Sequence, residues 1–358
     1  MQSQISQPLP GEKPGRFRGL AGWLFGLLAI GCLVFAVLHF GDLAAFATML
    51  RGAQPGWLLA ALVLQATTYV SLALGWSVVL REAGAPRPLR KLLPIALTKL
   101  FADQIIPAAG MGGDVLLIDR LVALGVSRGA AVAVLLVSMI GFYAVYAILA
   151  VIMLALLWLS GKASLWLALF VAVFVAVSVA IPGFALWLRR RGSHPLSPFV
   201  DRIPIVRGLL HIVGEAPAAL ISDRRLIAAV AALNGLIFIA DAATLLVCFR
   251  ALGAHVPYET AFIAVIAASM VVTLGPIPLG LGSFELGSTG MLSLLGVPLE
   301  AALAATLLLR SFTLWLPLLP GLILMRGVIR SKTHKPHAKQ GHHAPRPGEV
   351  VKPTTARR

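Results

Sequence analysis

The sequence predicts an all-α polytopic membrane protein, with six full spans and two re-entrant helical hairpins arranged as an inverted repeat. Three observations carry that prediction. The 358 residues are 59% hydrophobic and only 12% charged, with a mean hydropathy of +0.91, whereas soluble domains carry roughly 25% charged residues. Apolar runs near the roughly 20 residues needed to cross a bilayer recur along the chain. Two stretches rich in Gly and Pro, each holding an acid, interrupt that apolar sequence. Irregular backbone cannot face lipid, because its N–H and C=O groups would go unpaired in hydrocarbon. Each stretch therefore reads as the broken tip of a hairpin enclosed by protein or by a water-filled cavity.

The more distinctive interruption is LGPIPLGLGSFELGSTGMLSLLGVP, Leu274 to Pro298. Its counterpart is IIPAAGMGGDVLLIDRLVALGVS, Ile105 to Ser127. The two align without gaps. Pro107 matches Pro278, Asp114 matches Glu285, Gly125-Val126 matches Gly296-Val297 and Ala131 matches Ala302, all at one offset (278 − 107 = 171). Matching Ala and Leu positions mean little in an apolar chain. Proline, an acid and Gly-Val in one register mark an internal repeat with broken segments at corresponding places in its halves.

The elements follow in order. Residues 1–19 are a polar, Pro-containing leader, expected to be disordered. Leu20–Phe40 is too long for a signal-peptide core and no clear cleavage site closes it, so it reads as an uncleaved first span. Trp57–Leu80 is the second span, followed by a basic loop with Arg81, Arg87, Arg90 and Lys91. Leu92–Ile106 and Asp114–Leu124 are each short of a full span and form the first hairpin. Ala130–Leu159 is the third span, long enough to tilt or bend at Gly141. Leu165–Leu188 is the fourth. Residues 189–225 form a long basic loop, Leu226–Phe249 the fifth span, and Thr260–Met291 the second hairpin, its return half running on to Gly296. Ala301–Met325 is the last span, and residues 326–358 are a basic tail, also expected to be disordered. One transmembrane domain thus covers residues 20–325, with repeat halves of about 20–159 and 165–325.

Charge orients the chain. The net charge is +16, and the bases gather in the leader, the 81–91 loop, the 120–128 turn, the 189–225 loop and the tail. The opposite connectors hold only Arg51, Lys162 and Arg250. Lys and Arg stay in the cytoplasm, so both termini are expected inside. The first hairpin then opens from the cytoplasm and the second from the outside, which inverts one half against the other. The basic loops and tail suit contact with anionic lipid. No aromatic-interleaved basic motif points to nucleic acid. Cys32 and Cys248 lie in separate apolar spans and give no disulfide framework. The tail histidines His334, His337, His342 and His343 lack regular metal spacing. No metal or cofactor is expected.

Several residues are candidates for a substrate site at the midplane. Arg310 lies within the last apolar run, where a charge is expensive and normally faces the protein interior. It reads either as a clamp on an anionic headgroup, which suits a guanidinium fork, or as half of an ion pair with Glu285 or Asp241. Glu285 and Asp114 occupy matching places near the two tips. They read either as coupling or headgroup-handling carboxylates, or as caps on helix N-termini. Asp114, just after Gly112 and Gly113, favours the cap. Asp241 lies in the fifth span, with Asn234 two turns earlier. Lys99 and Asp103, four apart, face each other on a helix and approach the first tip. Gly110, Gly112, Gly113, Gly280 and Gly282 permit tight broken tips.

The run GPIPLGLGSFELGSTGMLSLLGVP, followed by AALAATLLLRSFTLWLPLLPG, resembles the C-terminal signature of the lysylphosphatidylglycerol synthase transmembrane-region family. Pro278, Gly280, Leu281, Gly282, Glu285, Gly296, Val297 and Arg310 match its pattern, and Leu279 stands where the family usually has Gly. IIPAAGMGGD resembles the first motif more loosely. The resemblance implies a flippase-like domain that moves a lipid between leaflets of a bacterial inner membrane. Residues 326–358 leave no room for the soluble synthase domain of bifunctional members, so neither aminoacyl transfer nor another enzymatic activity is expected. A phospholipid, a glycolipid and a polyprenyl-linked lipid are all open as substrates. The two other classes are a membrane-embedded lipid-modifying enzyme using the same acids and a non-catalytic accessory protein of envelope lipid assembly.

Overall fold

The computed structural model describes residues 52–105, 111–191, 217–275 and 280–316, and the described residues are helical and connecting segments without strands. The expected leader, the first span at Leu20–Phe40, most of the 189–225 loop, Pro107, Gly110 and Pro278 at the tips, and the tail lie outside them. The last expected span is described only as far as Leu316.

Helix α1 runs Pro55–Glu82, α2 Leu89–Ile105, α3 Met111–Ala123, α4 Arg128–Leu159, α5 Leu165–Arg191, α6 Ala218–Ser222, α7 Arg224–Ala251, α8 Tyr258–Leu274, α9 Ser283–Leu294 and α10 Leu299–Arg310. A π-helical turn, Ser311–Trp315, continues α10. Among the described residues four helices are long and apolar enough to cross a membrane: α1, α4, α7 and the Leu165–Phe184 part of α5. At roughly 1.5 Å per residue, α3 and α9 are too short to cross a hydrocarbon core of about 30 Å.

Local chemistry sets these boundaries. Pro55 opens α1, where a missing N–H is harmless. Ser127 caps α4 by accepting from the Ala130 N–H at 3.3 Å. Asp223 caps α7 through Arg225 and Leu226. The helix ends repeat one device: a left-handed glycine whose flanking N–H groups close on carbonyls of the last turn. Gly84 and Gly253 end α1 and α7 with matching hydrogen-bond patterns, and Gly125 and Gly296 do so for α3 and α9.

The helices α1–α4 and α7–α10 therefore come in the same order with nearly constant spacing. The gap-free alignment of the two tips does not extend unchanged to the helices before them. Starts of α4 and α10 differ by the expected offset (299 − 128 = 171), but those of α1 and α7, and of α2 and α8, differ by two fewer (224 − 55 = 169). The register changes at the tip. Upstream of it, Arg81 against Arg250 and Gly84 against Gly253 mark the two-residue slip (253 − 84 = 169).

Helix α7 is central. Its first turns join a core of Trp76, Leu80, Leu92, Leu117 and Leu121. Its middle meets Tyr146, Phe174 and Met270 through Phe238. Its end packs with Phe284, Leu292 and Leu308. It lies antiparallel along α1: the Gln54 N–H donates to the Ala251 carbonyl at 3.1 Å, and Gln65 reaches Asp241. Small residues let it approach α4, since a Cβ on Gly141 would come within 3.0 Å of the Ala231 nitrogen.

The two helical hairpins, α2–α3 and α8–α9, have their open ends at opposite ends of α4. Beside the start of α4, Arg87 of the α1–α2 loop donates to the carbonyls of Leu124 and Gly125 at 3.0 Å each, closing α3. Beyond the far end of α4, Lys162 donates to the Leu295 carbonyl at 2.9 Å, closing α9. Cations at helix C-termini also complement the dipole. The outward faces are apolar: Leu59, Val63, Ile148, Val151, Val173 and Val179 are exposed, and Leu165 and Trp166 are 84% and 80% exposed beside the α4–α5 turn. So broad an apolar surface suits lipid rather than water.

Candidate functional site

Each hairpin places an acid in the first turn of its return helix, and each acid meets a buried cation. Glu285 is the third residue of α9. Its Oε2 accepts from the Gly282 N–H at 2.7 Å, and its Oε1 accepts from Arg310 Nε at 3.0 Å. Both sequence alternatives for Glu285 hold together: one oxygen caps the helix and the other pairs with arginine. Gly282 has a φ of 81° and Gly280 a φ of 60°, backbone that suits glycine. At Gly280 a Cβ would also strike Val272. Arg310 lies 5.0 Å from the Phe284 ring centroid, a cation–π distance.

Two rungs set this pair. Glu285 and Ser288 share one face of α9, and Thr306 and Arg310 share one face of α10, by the three- and four-residue spacing of a helix. The Ser288 and Thr306 hydroxyls hydrogen-bond at 2.9 Å in a fully buried contact. The α-helix gives way to the π turn directly after Arg310, a feature frequent at functional sites. Nothing in the sequence signalled that turn.

At the first tip, Lys99 of α2 takes the place of arginine. Its Nζ lies 2.7 Å from Asp103 Oδ2 and 3.0 Å from Asp114 Oδ1. The Lys99–Asp103 pair is the one its spacing predicts. Asp114 lies in the first turn of α3, where its charge suits the helix dipole, and it also meets Lys99. The Gly113 N–H donates to Asp103 Oδ1 at 3.1 Å, so an acid of α2 helps to close that turn. Gly112 precedes it in the same turn. Gly113 has no room for a side chain, since a Cβ would lie 2.7 Å from the Lys99 carbonyl oxygen. Asp114 and Glu285 are equivalent in the alignment, yet their cations come from non-equivalent helices. The position matching Arg310 in the first half is Met139.

Asp241 belongs to neither cluster. It accepts from Gln65 Nε2 at 2.9 Å across the α1–α7 seam, and Gln65 also donates to Thr244 Oγ1 at 3.1 Å. Asn234 bonds back to the Val230 carbonyl of its own helix. Sequence reasoning missed Gln65, a buried amide without charge in an apolar run.

A helical, multi-pass chain with two acid–cation tips is a membrane protein, and its family ties it to lipid metabolism or transport. No curated protein sequence matches the chain. Residues 23–321 match the family described as the lysylphosphatidylglycerol synthase TM region, and the chain belongs to that family.

Proposed function

We propose that this protein is a lipid translocase of a bacterial inner membrane, with both termini cytoplasmic and two re-entrant hairpins entering from opposite sides. The observation that carries this reading is the pair of equivalent acids, Asp114 and Glu285, each meeting a buried cation at the tip of a broken helix pair. Charges at membrane depth are costly and mark substrate paths. Matched broken helices in two halves are a transporter plan. The antiparallel course of α1 and α7, and the opposed open ends of the hairpins, support inversion.

In this reading Arg310 holds a lipid phosphate. A phosphate arriving at the second tip competes with Glu285 for the guanidinium, which can bind it through two parallel N–H groups. The N-terminus of α9 points its positive dipole end at the same place. At the first tip, Lys99 faces two carboxylates and leaves that cluster one negative charge in excess, suited to a headgroup ammonium. Gly112, Gly113, Gly280 and Gly282 keep side chains out of the backbone's approach to the headgroup. The chain acts as a transporter and not as an enzyme.

Lipid exchange between leaflets in proteoliposomes made with lipid extract of the source bacterium tests this. The wild type is expected to accelerate exchange. Arg310→Ala is expected to slow it by about tenfold or more, the factor for losing roughly 1.4 kcal/mol of headgroup binding. Equal background rates for folded wild type and variant would overturn the reading, and a Glu285-dependent mass change in a lipid would replace it with enzymatic modification. The inverted arrangement has its own test. In a variant lacking Cys32 and Cys248, single cysteines at exposed Glu82 and His255 are expected to react with a membrane-impermeant thiol reagent from opposite sides. Labelling from one side would remove the inversion.

A further inference from the structure

The seam between α1 and α7 holds an acid that the headgroup site does not use. By helix order and spacing these are the equivalent helices of the two halves. They lie antiparallel, so their contact is where one half would rock against the other. The seam carries polar side chains: Gln65, Thr68 and Ser71 of α1 and Asn234 and Thr244 of α7 are all buried in it or beside it. Among the described residues, Asp103 and Asp114 share Lys99, and Glu285 holds Arg310. Asp241 is held instead by a neutral amide.

The groups around Asp241 fit that difference. On α1, the Tyr69 phenol lies one turn from Gln65 and within electrostatic range of Asp241, and its buried hydroxyl has no partner among the described residues. On its own helix, Thr244 gives its proton to the Ala240 carbonyl, so it is spent as a donor. On α4, the Tyr146 ring packs against Phe238 at a tilt of 34°, and Tyr143 is within electrostatic range of Asp114. On α8, the Tyr258 hydroxyl donates to the Ile239 carbonyl. On α10, Arg310 contacts Glu285 and the Phe284 ring. An isolated carboxylate at membrane depth is expensive, while its protonated form is a neutral donor and acceptor.

The geometry points to Asp241 as a proton-binding site at the seam between the halves, through which lipid movement is coupled to the transmembrane proton gradient. This rests on the translocase reading. One proton binds the carboxylate and makes the seam neutral while it is closed. Rocking opens the seam to water on the other side, the carboxylate ionises there, and the proton leaves. No covalent bond to a heavy atom is made or broken.

Two measurements on the full chain test it. The first is infrared titration in vesicles of phosphatidylethanolamine and phosphatidylglycerol, which needs no substrate identity. A protonated-carboxyl component that grows on acidification in wild type and is missing from Asp241→Asn is expected, over the bands that the other carboxyl groups give to both, and identical wild-type and variant spectra overturn the proposal. The second is leaflet exchange in lipid-extract proteoliposomes with an imposed pH gradient. The gradient is expected to drive wild-type lipid toward one leaflet, Asp241→Asn to keep exchange but lose that bias, and Asp241→Glu to restore it. Exchange by wild type that ignores the gradient overturns coupling and leaves the translocase standing. No wild-type exchange at all counts against the translocase itself.

Discussion

Glu285→Ala is expected to destabilise the protein by about 3–5 kcal/mol, the cost of removing one partner of a buried ion pair. Two losses combine. Arg310 keeps its charge, on a side chain only 11% exposed, and loses the carboxylate that pairs with it. The Gly282 N–H, at the start of α9, loses a 2.7 Å charge-assisted bond. Thermal unfolding in detergent should show a midpoint drop of roughly ten degrees. Replacing Arg310 as well should recover part of that stability, because the cation that lost its carboxylate is gone, while lipid exchange should stay abolished. A Glu285→Ala protein as stable as wild type would mean that the pair contributes nothing to the second tip. Recovery of stability without recovery of exchange separates the pair's structural role from its transport role.

How far the sequence could be read follows from where its landmarks lie. The four described spans were legible because hydrophobic runs end in residues with a fixed job. Trp57–Leu80 was expected and Pro55–Glu82 forms, and the difference is the proline that opens the helix and the turn that closes it. The tips were legible because Pro, Gly and an acid stand out against leucine and alanine. The Lys99–Asp103 pair was legible because its members are one helical turn apart. What failed was contact between elements. Asp114 has a sufficient local explanation as a cap, so its meeting with Lys99, fifteen positions back on the other arm (114 − 99 = 15), had no signal in spacing. Gln65 carries no charge to mark it, and its partner lies on a helix far along the chain. The π turn after Arg310 had no signal, because Ser311–Trp315 reads as ordinary helix by propensity. The rungs between α9 and α10 could have been found. Glu285 with Ser288, and Thr306 with Arg310, place polar residues at helical spacing on two apolar helices that an antiparallel hairpin brings together.

Gly113→Ala is expected to be among the most damaging single-carbon additions in the chain, although glycine to alanine inside a helix normally stabilises by about 0.5–1 kcal/mol. The added Cβ meets the Lys99 carbonyl oxygen at 2.7 Å and the Asp103 carboxyl carbon at 2.6 Å. The carboxylate could swing away, but the carbonyl belongs to the backbone of α2, so α2 and α3 must separate. Separation breaks the Gly113–Asp103 hydrogen bond and pulls Asp114 away from Lys99. Overpacking of this kind costs typically about 1–3 kcal/mol, and disturbance of a buried ionic cluster adds to it. Gly290→Ala is the control: it sits in α9 with nothing within 4 Å of the added carbon, so it should be neutral or slightly stabilising. Thermal unfolding and leaflet exchange measured on the two variants side by side decide the matter. A Gly113→Ala protein that matches Gly290→Ala in both would show that the close approach of the first hairpin's arms is dispensable, and with it the arrangement that holds Lys99 between two acids.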